Sequence, residues 1–134
     1  MKDCTTEIIE FAAEIEDMIR SIRGKGIEHC ALGQLSRSST SIFANFAESQ
    51  RAHTLADVRN KIAIASKEAN ETKAWIFFIR RIGLIDEESW KALDKTITNI
   101  LIFLDGCVTE TLTKKNPTDF MKTTFCGSKG WGKV

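Results

Sequence analysis

The sequence has few residues of the types that build metal sites. Of its 134 residues only two are histidines, His29 and His53, and only four are cysteines. A carboxylate-bridged di-iron bundle needs Glu-x-x-His motifs, but Gly26 and Gln50 stand three positions before the histidines. No Cys-x-x-Cys pair occurs, which excludes a zinc site of the usual spacing. We therefore predict that the protein binds no metal and no cofactor.

Motifs of common catalytic sites are absent as well. No glycine-rich loop follows a strand, and no Ser-x-x-Lys motif occurs. The cysteines lie among apolar positions, which is typical of reduced and buried thiols; they are Cys4, Cys30, Cys107 and Cys126. These absences predict a protein that is not an enzyme.

Long hydrophobic runs are also missing. The longest has six residues, 74–79, whereas a membrane-spanning helix needs roughly 20. No secretory signal opens the sequence. Hydrophobic residues make up 43% of the chain and charged residues 28%, which is usual for one globular domain. We predict a cytoplasmic protein that makes no contact with a membrane.

Proline and helix-capping residues divide the chain into four predicted helices. The first runs from about residue 5 to 23, and the second from about 28 to 50. The apolar stripe of the first helix is Ile8, Phe11, Ile15, Met18 and Ile22. Thr54 and Gly83 are placed to begin and end the third, and Asp86 to begin the fourth. The connections are only a few residues long, so consecutive helices should be antiparallel. Residues 1–116 are therefore predicted to form an all-α, up-down-up-down four-helix bundle.

The single proline, Pro117, marks the predicted end of this bundle. Residues 118–134 show no helical periodicity and finish in a glycine-rich stretch. We predict that residues 117–134 are a flexible C-terminal tail. The alternative is a docking arm that uses Phe120, Phe125 and Trp131.

Helix three carries two apolar seams instead of one. The first is a regular heptad seam of Val58, Ile62, Ala65, Ala69, Thr72, Ile76 and Ile79. The second is turned by about 120° from it and consists of Ile64, Glu68, Glu71, Trp75, Phe78 and Ile82. A helix in a small bundle needs one apolar side, so a second seam indicates a second partner. We predict a homo-oligomer whose interface includes Trp75, Phe77, Phe78 and Ile82.

Polar side chains line the second seam of helix three and a facing seam of helix two. Charged groups beside a core are costly unless they have partners, so these residues should bond across the two helices and fix their register. The predicted network contains Arg37, Ser38, Ser41, Asn45, Glu48, Glu68 and Glu71. An acid–base site built on the same carboxylates is the alternative, although it lacks a nucleophile or metal.

The net charge is only +1, but the positive charge is concentrated in helix three. Residues 54–83 contain six basic and three acidic side chains. Five of the basic residues fall within an arc of about 140° on a helical wheel: Arg59, Lys67, Lys73, Arg80 and Arg81. Such a stripe can neutralise phosphates, and an oligomer would repeat it. A solvated face of ordinary surface charges is the alternative.

Two motifs resemble a known family. The first comprises Gln34 to Ser38, Ser41-Ile42 and Asn45 to Glu48; the second comprises Lys67 to Thr72 followed by Trp75-Ile76. Together they resemble the signature of the four-helix-bundle proteins encoded by intervening sequences of bacterial 23S rRNA genes. The resemblance covers about residues 8–112. It implies a homopentamer of four-helix protomers without enzymatic activity.

The resemblance also extends to related accessory proteins of diversity-generating retroelements, which bind nucleic acid and contact a reverse transcriptase. It therefore implies RNA or DNA, and a reverse transcriptase, as partners. A protein-binding adaptor without affinity for nucleic acid is the competing hypothesis. A third hypothesis rests on Arg23 and His29, whose spacing resembles a motif of helical-bundle ribonucleases, although two glycines interrupt it.

Overall fold

The computed structural model describes residues 4–23 and 30–124, and these residues form five helices. They are α1 (Cys4–Arg23), α2 (Cys30–Ser49), α3 (Leu55–Arg81), α4 (Glu87–Thr111) and α5 (Pro117–Thr124). The predicted all-α class is confirmed, with four long helices and one short additional helix. The predictions made for His29 and Cys126 lie outside the described residues.

The four long helices bury the seams that the heptad pattern predicts. All seven residues of the first seam of α3 are buried, and so are the apolar residues of α2 and α4 that face it. In α1 one position of the predicted apolar stripe differs: Met18 is only partly buried, and the neighbouring Ile19, which is 1% exposed, is buried instead. Small alanines in α3, such as Ala65 and Ala69, allow the neighbouring helices to approach closely.

Capping residues explain where α3 begins and ends and where α4 begins. The Thr54 side chain accepts a hydrogen bond of 3.0 Å from the backbone N–H of Asp57, and the Asp86 carboxylate accepts one of 2.7 Å from Ser89. The Ser89 bonds lower the pKa of Asp86. Gly83 has a φ of 83°, and the backbone N–H of Leu84 reaches back to the carbonyl oxygen of residue 79. These bonds lie at the three predicted boundaries, Thr54 and Gly83 for α3 and Asp86 for the start of α4.

Side-chain contacts confirm the antiparallel order of the long helices. Thr5 of α1 bonds Gln50 just after α2, whereas Glu16, later in α1, accepts a hydrogen bond from Ser36 near the start of α2. The contacts of α2 with α3 and of α3 with α4, described below, run in the same opposed sense. The topology is therefore up-down-up-down.

The prediction of an irregular tail from residue 117 is wrong for residues 117–124. These residues form α5, and Phe120 is fully buried in the core of the bundle. Asn116 caps this helix by accepting a hydrogen bond of 2.9 Å from Asp119. A two-turn helix is marginal by itself, and the burial of Phe120 stabilises it although its sequence shows no clear helical period. Phe125 and Trp131 lie outside the described residues.

The cysteine prediction is correct for two residues and wrong for a third. Cys4 and Cys107 are buried, and burial raises the pKa of Cys107 to about 12. Cys30, the first residue of α2, is exposed. No helix within residues 4–23 or 30–124 is long and apolar enough to cross a membrane.

Candidate interaction surfaces

An ion cluster joins α2 to α3 on their outer side. The guanidinium group of Arg37 donates to Glu68 at 3.1 Å and also to Glu71, while its Nε donates to Gln34 at 3.1 Å. One arginine thereby bridges two carboxylates that lie one turn apart on α3. The cluster fixes the register of α3 relative to α2, as the polar seams predict.

Glu71 is the carboxylate most affected by this arrangement. Its pKa is lowered chiefly because Arg37 donates a hydrogen bond to the charged form; partial burial acts in the opposite direction. The Arg37 interaction therefore contributes stability above the ordinary glutamate pKa of 4.5. That stability is lost as the pH falls through the lowered pKa of Glu71.

We expect the free energy of unfolding to depend less on pH under acidic conditions in Glu71→Gln than in the wild type. The variant has no Glu71 proton to gain as the pH falls below 4.5 and through the lowered pKa of Glu71, so its free energy of unfolding should fall less steeply there than that of the wild type. Urea unfolding at a series of pH values measures the difference. Glu88→Gln, at an exposed glutamate of α4, is the matched control and should leave the profile unchanged. Parallel profiles for wild type and Glu71→Gln would contradict the assignment.

The remaining members of the predicted network do not join this cluster. Ser38 is buried and accepts a hydrogen bond of 2.8 Å from Thr72 of α3. Asn45 donates to the backbone carbonyl of Ser41 within α2. Glu48 forms a separate ion pair of 2.6 Å with Lys61, near the other end of the two helices. The seven residues thus make four distinct sets of contacts, of which three cross between α2 and α3 and one, that of Asn45 with Ser41, stays within α2.

A second polar ladder, which the sequence reasoning missed, joins α3 to α4. Four residues of α3 that are spaced seven apart, at positions 59, 66, 73 and 80, contact residues of α4 whose numbers decrease in the same order. The pairs are Arg59 with Thr111 at 3.0 Å, Ser66 with Asp105 at 2.5 Å, Lys73 with Thr98 at 2.6 Å and with Asp94 at 2.9 Å, and Arg80 with Glu87 at 2.5 Å. The heptad spacing of residues 59, 66, 73 and 80 is the signal that could have revealed it.

This ladder divides the predicted basic stripe into two parts. Arg59, Lys73 and Arg80 face α4, where two of them pair with carboxylates. Lys67 and Arg81 are instead exposed, and within the described part of the chain no carboxylate pairs with them. We call these two residues the outer row of α3. Much of the positive charge of the stripe is therefore compensated within the protomer.

Aromatic residues form an exposed patch at the C-terminal end of α3. We call Phe77, Phe78 and Ile82 the aromatic patch; their exposed fractions are 50%, 44% and 50%. Phe78 packs edge-on against Trp75 with 5.8 Å between ring centroids, and Phe77 packs edge-on against Trp90 of α4 at 6.3 Å. Trp75 and Trp90 thus pack against the two phenylalanine rings of the patch on the side facing the protomer. Of the predicted interface residues, only Trp75 is largely covered within the protomer.

Arg80 packs against two of the aromatic rings at this patch. Its guanidinium carbon lies 4.2 Å from the ring centroid of Trp90 and 5.7 Å from that of Phe77, while Glu87 pairs with its charge. The indole nitrogens of Trp75 and Trp90 are buried, and neither meets a hydrogen-bond acceptor in the described residues. The Trp75 N–H nevertheless lies near enough to Glu71 to favour the charged carboxylate slightly. These contacts hold the aromatic rings in fixed positions.

The described residues offer little for chemistry at these surfaces. No group of three or more His, Cys, Asp or Glu side chains in residues 4–23 and 30–124 has the arrangement of a metal site. The Arg23 side chain and His29, which carried the ribonuclease hypothesis, are outside the described part. The arrangement is one of ion pairs that fix helices and of rings that remain open to water. It is suited to contact with another macromolecule.

Comparisons with known proteins agree with the fold and the motifs. A crystal structure of a protein of unknown function from the S23 ribosomal protein family of Bacteroides thetaiotaomicron is similar, with a TM-score of 0.75 and 33% sequence identity. The similarity covers 78% of this chain and 96% of that one. A search of curated proteins found no match. The family model of the 23S rRNA-intervening sequence protein matches residues 3–106. The chain therefore belongs to the 23S rRNA-intervening sequence protein family.

Proposed function

We propose that this protein is a non-enzymatic structural subunit that assembles into a homo-oligomer through its aromatic patch. The observation that carries the proposal is the half-exposed state of Phe77, Phe78 and Ile82, three large side chains on adjacent turns of one helix. Exposed apolar groups are common when they are scattered, but a contiguous aromatic group is typical of an interface. A second copy of the chain is the proposed partner.

The surroundings of the patch favour a specific interface over nonspecific stickiness. Trp75, Trp90 and Arg80 hold the exposed rings in place, so little side-chain entropy is lost when a partner covers them. The ion cluster around Arg37 lies on the same α2–α3 side and provides polar groups for the rim. We propose a closed ring of five copies, the number that the family resemblance implies.

Sedimentation equilibrium of the purified protein tests this proposal. The expected mass is five times the 15.0 kDa of one chain, and it should persist at low micromolar concentration. A mass of one chain throughout the concentration range would overturn the proposal. In that case a protein-binding adaptor whose patch meets a different protein would become the leading hypothesis.

Association with RNA or DNA is the second candidate function. It is favoured by Lys67 and Arg81, which lie fourteen residues apart on the exposed outer row of α3 and lack carboxylate partners in the described structure. At 1.5 Å per residue they are about 21 Å apart on one face. A ring would repeat this pair in every subunit, so that individually weak phosphate contacts act together. The compensated residues Arg59, Lys73 and Arg80 would contribute less.

Charge reversal at the outer row tests the nucleic-acid function, and sedimentation of the same variant checks that assembly is intact, because Arg81 lies one turn from Phe77 and Phe78 of the aromatic patch. We expect the double variant Lys67→Glu and Arg81→Glu to lower affinity for structured RNA and duplex DNA by about tenfold or more, and to flatten the dependence of affinity on salt. Fluorescence anisotropy across a salt series measures both quantities.

The matched control for this experiment places the same charges elsewhere on the surface. Lys91→Glu with Lys95→Glu changes two exposed lysines of α4 and should leave a site-specific affinity intact. An equal loss in the control would indicate only nonspecific attraction. If the wild type shows no salt-dependent binding at low salt, the nucleic-acid function is rejected and the structural role stands alone.

A further inference from the structure

An apolar groove lies between α4 and the end of α5, away from the aromatic patch. Its volume is about 350 Å³. The floor is formed by Phe103, Gly106 and Cys107, and Ile102, half exposed, stands at one end. Glu110 and Lys114 pair at 3.2 Å on the rim. The groove is large enough for an aromatic side chain, and a Cβ atom added at Gly106 would meet nothing within 4 Å.

The chain itself enters this groove at its C-terminal end. Thr123 and Thr124, the last residues of α5, line it. Phe120, one turn earlier, anchors α5 in the core, so the position of Thr124 is fixed relative to α4. Ten residues follow Thr124 in the sequence, and they include two aromatic residues, Phe125 and Trp131. Any contact they make with the groove needs no long connecting loop.

We propose that residues 125–134 dock into the groove of their own chain, with Trp131 as the anchor over Gly106. Trp131 is seven positions after Thr124, and an extended chain of that length spans up to about 23 Å, whereas the groove from Ile102 to Glu110 extends about 12 Å along α4. The segment can therefore lie along the whole groove.

The composition of the segment suits this surface. Gly127, Gly130 and Gly132 permit the close turns that a short segment needs to lie against a helix. Because the segment is tethered beside the groove, its effective concentration is on the order of millimolar, and a modest intrinsic affinity is enough to occupy it.

Fluorine NMR of the full-length protein labelled with 5-fluorotryptophan tests the proposal. The chain has three tryptophans, so three resonances are expected, and Trp131→Phe assigns the one that matters. In the wild type the Trp131 resonance should differ from its position in denaturant. Gly106→Arg places a long side chain in the groove from a Cβ position that meets nothing within 4 Å, and it should move that resonance to the denatured position, with the other two unchanged.

Two controls make the outcome decisive. Gly33→Arg makes the same substitution at an exposed glycine of α2 whose Cβ would also meet open space, and it should leave the Trp131 resonance unmoved. Dilution of the labelled chain into a large excess of unlabelled Gly106→Arg chain should also leave it unmoved, because the groove in use belongs to the same molecule. A shift on dilution would assign the groove to a neighbouring copy and overturn the proposal. So would a wild-type resonance at the denatured position, or one that Gly106→Arg does not affect.

Discussion

Phe120→Ala is expected to lower the free energy of unfolding by about 3–5 kcal/mol, the range observed for deletion of a fully buried phenylalanine side chain. Phe120 is 0% exposed and belongs to the core, although it comes from a helix of only eight residues. The substitution removes most of the apolar area that holds α5 on the bundle, so α5 should detach at the same time. Urea unfolding at a fixed protein concentration measures the change.

Thr123→Ala is the matched control for this variant. Thr123 lies on the exposed side of the same helix, and the bonds of its hydroxyl within residues 4–23 and 30–124 are to backbone carbonyls of α5 alone. We expect its effect to stay within about 0.5 kcal/mol. A loss below about 1 kcal/mol for Phe120→Ala would mean that α5 contributes little to the folded state, and the four long helices alone would form the stable unit.

The α5 helix shows why part of the fold could not be predicted from the sequence. A hydrophobic pattern needs several turns before its period can be recognised, and α5 has two turns with Phe120 as its single large buried residue. Pro117 was interpreted as the end of the bundle, yet proline is favourable in the first turn of a helix. The choice between these two interpretations depends on a tertiary contact that the local sequence does not contain.

The long helices were predictable because two independent signals agree. In α3 the seven-residue seam is strictly regular, and Thr54 and Gly83 define the ends by their own chemistry. In α1 the neighbouring residues Met18 and Ile19 both fit an apolar stripe, and the structure buries Ile19. Isoleucine fills a fixed core position well, whereas an unbranched methionine suits a partly exposed one. The one-residue difference follows from packing, which periodicity alone does not resolve.

The basic stripe illustrates the limit of a helical wheel. The wheel places Arg59, Lys73 and Arg80 on one arc of α3, but it contains no information about the acidic residues of α4 that come to lie opposite them. The exposed remainder, Lys67 and Arg81, could be distinguished only after the partners of the ladder were known. Pairing between helices is a tertiary property, so the charge balance of a single helix overestimates its surface potential.

Phe78→Glu is expected to convert the proposed oligomer into a folded monomer. Phe78 is 44% exposed in the protomer, and its ring packs on Trp75 at 5.8 Å. Burial of a carboxylate in an interface is costly, and loss of a central aromatic contact weakens association by roughly 2 kcal/mol or more, which is about a 30-fold rise in the dissociation constant. The protomer itself loses only one ring pair, worth about 0.5–1.5 kcal/mol, so it should remain folded.

Two measurements on Phe78→Glu distinguish dissociation from unfolding. Sedimentation should give the mass of one chain, and circular dichroism should retain the helix content of the wild type. Ala63→Glu places the same charge at an exposed position of α3 about 22 Å away along the helix, and it should leave the oligomer intact. If Phe78→Glu still sediments as the oligomer, the aromatic patch is not the interface. Equal dissociation of both variants would mean that negative charge on α3, rather than loss of the ring contact, disrupts assembly.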